Sequence, residues 1–182
     1  MTECNVEQLE FHGLGRRAVV GRFDGPTISS DGGVMRLSEV EAKTRIIERL
    51  AEQFVDHRDP ELIEHRVREL IGQRVFALAL GDEDLNDHDR RRLDPLLAAA
   101  VGKHDPTGAG RLRAQDRGKA LASSSTLNRL ELTPLDADSG SRDKKIATDV
   151  AGIDALMVSR ALEPHGEAPK QVWLDLDATD DP

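Results

Sequence analysis

Apolar positions along this chain recur mostly at the three-to-four-residue spacing of amphipathic helices, with short β-prone runs near both ends. Near the N-terminus, Ala18, Val19, Val20 and Phe23 form such a run, and it stops at Asp24-Gly25 followed by Pro26, a turn signature. Ser29, Ser30 and Asp31 then offer helix N-caps, and helices are predicted over roughly 34–42 and 44–54. Gly32 and Gly33 loosen the entry to the first; the second carries Ile46, Ile47, Leu50 and Phe54 on one stripe. The strongest local signal comes next. Asp59 can cap, Pro60 suits the first helical position, and Glu61 and Glu64 complement the positive end of the helix dipole, so a long helix is predicted from there to Gly81. Its core face is Ile63, Val67, Leu70, Ile71, Val75 and Leu78, and Gly81 supplies a left-handed stop.

A shorter helix is predicted over 94–101, with Pro95 at its entrance and Gly102 at its end. Composition then shifts to a polar, glycine-containing stretch over 103–125, read as a loop. From Thr126 the pattern is helical through Leu127, Leu130 and Leu132 until Pro134, because the residue before a proline avoids helix. A turn over 135–143 leads to a predicted helix over 144–162 using Ile146, Val150, Ile153, Leu156, Met157 and Leu162. Pro164, Gly166 and Pro169 mark a linker. The fold class that emerges is mainly α: an extended segment over 1–28 with a short β run, a helical domain over 29–163 that includes the basic loop 103–125, a linker over 164–170, and a final strand over 171–182.

Charge adds a distinction that periodicity does not. The 182 residues carry 25 Lys and Arg against 34 Asp and Glu, a net charge of −9, which argues against unspecific adhesion to nucleic acid. Two short stretches run the other way: Arg90, Arg91 and Arg92, and the loop segment with Arg111, Arg113, Arg117 and Lys119 around Asp116. They are either solvated surface or a local polyanion contact. No run reaches the roughly 20 apolar residues of a membrane span and no leader pattern opens the chain, so a cytoplasmic protein is expected. The single cysteine, Cys4, excludes an internal disulfide and a multi-cysteine zinc site.

In the final run, Val172, Leu174 and Leu176 alternate with Trp173, Asp175 and Asp177. On a strand this puts Asp175 and Asp177 on one face, roughly 6 to 7 Å apart at about 3.3 Å per residue. Such a pair suits divalent-metal chemistry on phosphate oxygens, or is an exposed acidic end. Other candidates fail by their own geometry. The segment from Asp82 begins like a calcium loop, but Asp87 stands where the turn glycine belongs and Leu93 where the bidentate glutamate belongs. Gly13, Gly15 and Ala18 imitate a dinucleotide fingerprint, yet an extended segment comes after them. His12, His57, His65, His88, His104 and His165 have no metal-ligand spacing, and Ser123 to Ser125 lack a nucleophile elbow and are read as preceding or capping a helix.

Four stretches carry a resemblance: FDGPTISSDGGVMRLSEVE, QRVFALALGDEDLNDHDRRRLDPLLAAAVGK, DPTGAGRLRAQDRGKALASSSTLNRLEL and QVWLDLDATDDP. In this order and spacing they resemble DDE-type transposases of bacterial insertion sequences, the branch grouped as transposase DDE domain, group 1, from about Arg22 to the end. The resemblance implies a protein that binds the terminal inverted repeats of its element as double-stranded DNA, then cleaves and joins strands with three carboxylates and two Mg2+ or Mn2+ ions on a ribonuclease-H-like fold. The first of those acids falls on Asp177, within an Asp-Ala-Thr sequence, with Asp175 as a neighbouring support. The strand over 171–182 would then begin the ribonuclease-H-like domain. The second aspartate and the glutamate do not follow, so an N-terminal, catalytically incomplete fragment is expected. The helical part is expected to recognise DNA ends through Arg111, Arg113, Arg117, Lys119, Thr126, Asn128 and Arg129, working as a homo-oligomer or a mixed oligomer and associating with the nucleoid when bound. The alternative is a non-catalytic helical module that inhibits an intact transposase by mixed oligomerisation.

Overall fold

The computed structural model describes residues 9–21, 31–167 and 169–173, and over these the chain is mainly helical. It divides into two compact units, Met1–Asp149 and Val150–Pro182. The first unit opens with an antiparallel hairpin of β1 (Leu9–Leu14) and β2 (Arg17–Gly21), with Glu10 opposite Val20 and Phe11 opposite Val19. The expected β run is thus present as far as Gly21; Phe23, Ser29 and Ser30 lie outside the described residues. Helices α1 (Val34–Thr44) and α2 (Ile46–Ala51) follow, divided by Arg45, which takes a left-handed conformation with φ 50°. The break exposes the first N–H groups of α2, and the buried Glu41 carboxylate accepts from Ile47 N–H at 2.9 Å.

Three boundaries differ from the periodicity reading. Phe54 does not end a helix: it opens β3 (Phe54–Asp56), which pairs antiparallel with β4 (Ile146–Thr148), Phe54 opposite Thr148 and Asp56 opposite Ile146. Ile146 is accordingly a strand residue, and the helix predicted from 144 begins at Val150 as α7 (Val150–Leu162), in the second unit. Short apolar runs satisfy either period, and here a pairing partner about ninety residues away selects the strand. Bonds from His57 N–H to Lys145 O and from Asp149 N–H to Gln53 O, both 2.8 Å, extend the ladder at its ends. The third difference is the start of the long helix. Asp59 does cap, accepting from Glu61 N–H, but only a 3-10 turn at Pro60–Leu62. The chain returns to extended backbone at Ile63, and α3 runs Val67–Ala79, its entry closed by Glu69 accepting from Arg66 N–H at 2.9 Å. The end is as expected: Gly81 has φ 95°, and bonds from Gly81 N–H to Leu78 O and from Asp82 N–H to Ala77 O close the last turn.

Beyond α3 come the one-turn α4 (His88–Arg91), α5 (Pro95–Ala100) capped by Asp94, and α6 (Ser124–Glu131). Leu70, Ile47, Leu97, Leu121 and Leu127 are fully or almost fully buried and belong to one core cluster, each contributing about 1.5–3 kcal/mol relative to exposure. Leu121 belongs to the polar stretch over 103–125. Before α6 opens at Ser124 that stretch has only a 3-10 turn at Ala114–Asp116, yet Ala120, Leu121 and Ala122 are all core residues. Gln73 of α3, itself 1% exposed, receives them: its Oε1 accepts from Ala122 N–H and its Nε2 donates to Ala122 O, each at 2.9 Å. The same amide lies 3.1 Å from Nδ1 of the buried His88, tying α3, α4 and the end of the loop together.

The other end of the loop is shaped by Asp105, whose carboxylate accepts from Gly110 N–H, Thr107 Oγ1 and Thr107 N–H; these donors, Gly110 first, hold its carboxyl down to about 2. Gly108 has φ 68°, and a Cβ there would lie 2.6 Å from Ala120 N. Gly108→Ala is therefore expected to lower stability by about 2–4 kcal/mol, from backbone strain and a clash that a flexible side chain cannot relieve. Gln73→Leu leaves both Ala122 backbone groups buried without partners and is expected to cost roughly 2–4 kcal/mol. Urea unfolding of each variant checks both figures.

Candidate nucleic-acid interface

The loop and α6 meet across a cleft of about 670 Å³ in the first unit. Helical phase explains which α6 residues face it. Leu127 and Leu130 point into the core, so Ser125, Thr126 and Arg129 are turned to the cleft. Asp89 of α4 closes the helix entrance, accepting from Ser124 N–H at 3.1 Å and from Ser124 Oγ at 2.8 Å, and these bonds hold its carboxyl below the ordinary range. Ser123 is the residue before the helix, as its position suggested, with Ser123 Oγ 3.0 Å from Ser125 Oγ and 3.1 Å from Thr126 Oγ1.

Five arginines line the cleft (Arg58, Arg92, Arg111, Arg113 and Arg129) against three carboxylates, Glu64, Asp89 and Asp116. The lining residues therefore sum to +2, or +1 once Asp56, which pairs with Arg58, is counted, within a chain of net −9. The arginines divide by what they already hold. Arg58 binds Asp56 at 2.8 and 2.7 Å and the His65 carbonyl at 2.9 Å. Arg111 binds both Glu64 oxygens, at 3.1 and 3.0 Å, and the Lys119 carbonyl at 2.9 Å. Burial acts to raise the Glu64 carboxyl, but the Arg111 guanidinium and Leu112 N–H outweigh it and hold it low. Arg113 and Arg129 are exposed, and neither guanidinium has an ion pair or hydrogen bond among the described residues.

The residues expected to face DNA are thus only partly gathered. Arg111, Arg113, Thr126 and Arg129 share the cleft, with Arg111 committed to Glu64 as a strut. Arg117 is exposed at the loop surface, Lys119 is half-buried with Nζ donating to Gln115 O, and Asn128 is half-buried on α6; none of these three lines the cleft. Arg58 and Arg92 line it without having been singled out. Arg92 was visible only as one of three consecutive arginines. Their division became clear only in three dimensions: Arg91 turns to Asp82 and Asp31, and Arg92 to Asp116.

Asp175 and Asp177 lie outside the described residues. Among the described residues no group of three or more His, Cys, Asp or Glu is placed to hold a metal ion, so no chemical step is assigned to one. No described helix is long and apolar enough to cross a membrane.

His65 lies at the cleft wall, 6% exposed, and burial together with Lys103 and Arg111 lowers its pKa from 6.5 to about 2. The unfolded chain therefore binds a proton that the folded chain refuses, so stability is lost as pH falls below 6.5 and continues to fall toward 2. His65→Gln removes this contribution. Between pH 7 and 5 the wild type is expected to lose about 2 kcal/mol more than the variant, measured by urea unfolding at each pH.

Searches of curated proteins and of solved structures each find no match. The family model described as transposase DDE domain group 1 matches residues 11–182, all but the first ten. The chain belongs to the DDE-transposase family, group 1.

Proposed function

We propose that this chain supplies the DNA-end-recognition part of an insertion-sequence transposase, and that the cleft between the basic loop and α6 carries the phosphate backbone of the element's terminal inverted repeats. The observation that carries this reading is the pair Arg113 and Arg129: two exposed guanidiniums from separate segments, without protein partners among the described residues, open onto one electropositive cleft. Arginine forks suit phosphate oxygens, and the adjoining hydroxyls of Ser125 and Thr126 are further donors to a backbone. Within this reading Arg111 positions the loop through Glu64, while Arg117, Lys119 and Asn128 extend the contact along the loop and helix.

Cleavage and strand transfer in the family are metal-dependent reactions. We assign Asp177, supported by Asp175, as this chain's contribution to an Mg2+ or Mn2+ site on a ribonuclease-H-like continuation. Binding is the activity that the described residues support, and it is the one we assign to the cleft. A homo-oligomer or a mixed oligomer with intact transposase is compatible with that role.

Fluorescence anisotropy of the chain on inverted-repeat duplex, over a series of salt concentrations, tests the assignment. The double variant Arg113→Ala, Arg129→Ala is expected to bind more weakly and to reduce the log–log salt slope by about 1.8, the value for two lost phosphate contacts. An unchanged affinity and slope would remove these residues from the interface.

A further inference from the structure

Three arginine–carboxylate pairs stand at the cleft, and they are not equivalent. Arg58 and Arg111 each hold a carboxylate through two nitrogens and a carbonyl through a third bond. Arg92 makes a single bond, Nη2 to Asp116 Oδ1 at 3.1 Å, and its Nε is buried with no partner among the described residues. A guanidinium presents five N–H donors in a planar fork, so most of the recognition capacity of Arg92 is unused. Both partners line the cleft that Arg113 and Arg129 share. Asp116 also stands on a short support. It ends the three-residue 3-10 turn Ala114–Asp116, whose backbone is held by bonds from Asp116 N–H to Arg113 O at 3.0 Å, Arg117 N–H to Ala114 O at 3.3 Å and Lys119 N–H to Asp116 O at 3.1 Å, with Lys119 Nζ donating to Gln115 O.

Resting on the nucleic-acid reading above, we propose that Arg92 and Asp116 form an exchangeable latch. A phosphate of the bound DNA backbone takes the Arg92 fork in place of Asp116, and the Ala114–Asp116 turn is released. A phosphodiester offers two oxygens sharing one negative charge, which matches the fork bidentately, whereas Asp116 satisfies it at one point. The incoming anion replaces the outgoing one, so the charge beside Arg92 is conserved and the expelled carboxylate passes into water. The exchange links occupancy of the cleft to the conformation of residues 113–119, because the phosphate and the folded turn compete for one guanidinium.

The test uses the full chain with inverted-repeat duplex and, separately, inorganic phosphate. Asp116→Asn keeps the size of the side chain but removes the competing charge, and it is expected to tighten duplex binding about three- to tenfold. Hydrogen exchange on the wild-type protein provides a reading that does not depend on how the variant folds. The amides of Asp116, Arg117 and Lys119, bonded within the turn and just after it, should exchange faster in the DNA complex than in the free protein. Acceleration by inorganic phosphate as well would show that any phosphate drives the latch; acceleration by duplex alone would assign it to the nucleic-acid backbone. If Asp116→Asn fails to tighten binding and the turn amides do not accelerate, while Arg113→Ala, Arg129→Ala still weakens binding, the latch is wrong and the interface stands. If the double arginine variant is also without effect, both readings fall.

Discussion

The carboxamide of Gln73 is the interaction on which the cleft depends. It sits in the core of α3 and pairs through both its oxygen and its nitrogen with the backbone of Ala122, doing for one residue what a neighbouring strand does in a ladder. A loop rich in charge and glycine has few means of holding its backbone inside a protein, since each buried N–H and C=O needs a partner. Gln73 supplies both at the position where the chain leaves the loop and enters α6, and Leu121 and Leu127 on either side then pack into the same core. That anchor fixes the α6 face carrying Thr126 and Arg129 relative to the loop carrying Arg113, together with the bonds from Ser124 to Asp89 and from Arg111 to Glu64.

Around the anchor, arginine serves two physical ends. Some guanidiniums are consumed in holding the scaffold: Arg111 ties the loop to Glu64, Arg58 closes the segment between β3 and α3, and Arg74 joins Glu131 of α6 to the Asp82 and Glu83 carbonyls. Others are left with donors to spare. This division lets an acidic chain keep a small electropositive cleft: the carboxylates nearby are already occupied by struts or, for Asp89, by the entrance of α6. A local potential set by which pairs are saturated is compatible with an overall net charge of the opposite sign.

The chain belongs to the DDE-transposase family, group 1, and the reading proposed for its cleft is recognition of DNA rather than chemistry upon it. The physical demands of the two tasks differ. Metal-assisted strand transfer requires carboxylates brought together at ion-holding distance, whereas recognition requires donors spread along a backbone. Among the described residues the acids are scattered through ion pairs and caps, and the cationic donors are the ones gathered on one surface.

Much of the helical framework was legible in the amino-acid order, because its signals are local. The Gly81 stop, the helix entrance at Pro95, and the end of α6 before Pro134 each depend on neighbours within a few residues. Asp59 shows the limit of the same logic: a cap acts on the next three residues and does not set the length of the element it opens, so a 3-10 turn satisfied it. Phe54 and Ile146 show another limit, since a short apolar run fits either period until a distant partner forms a ladder. The basic loop, α6 and four of the cleft residues were readable as residue types. Which arginine is a strut and which is open was not, because that depends on Glu64, Asp116 and Asp56 approaching from separate segments. Composition and short-range order determined that these segments are helical, several of their ends and the presence of cationic side chains; only the tertiary structure decided where α2 stops, where α3 and α7 begin, and which charges pair at close range, because chain order does not specify distances between remote residues.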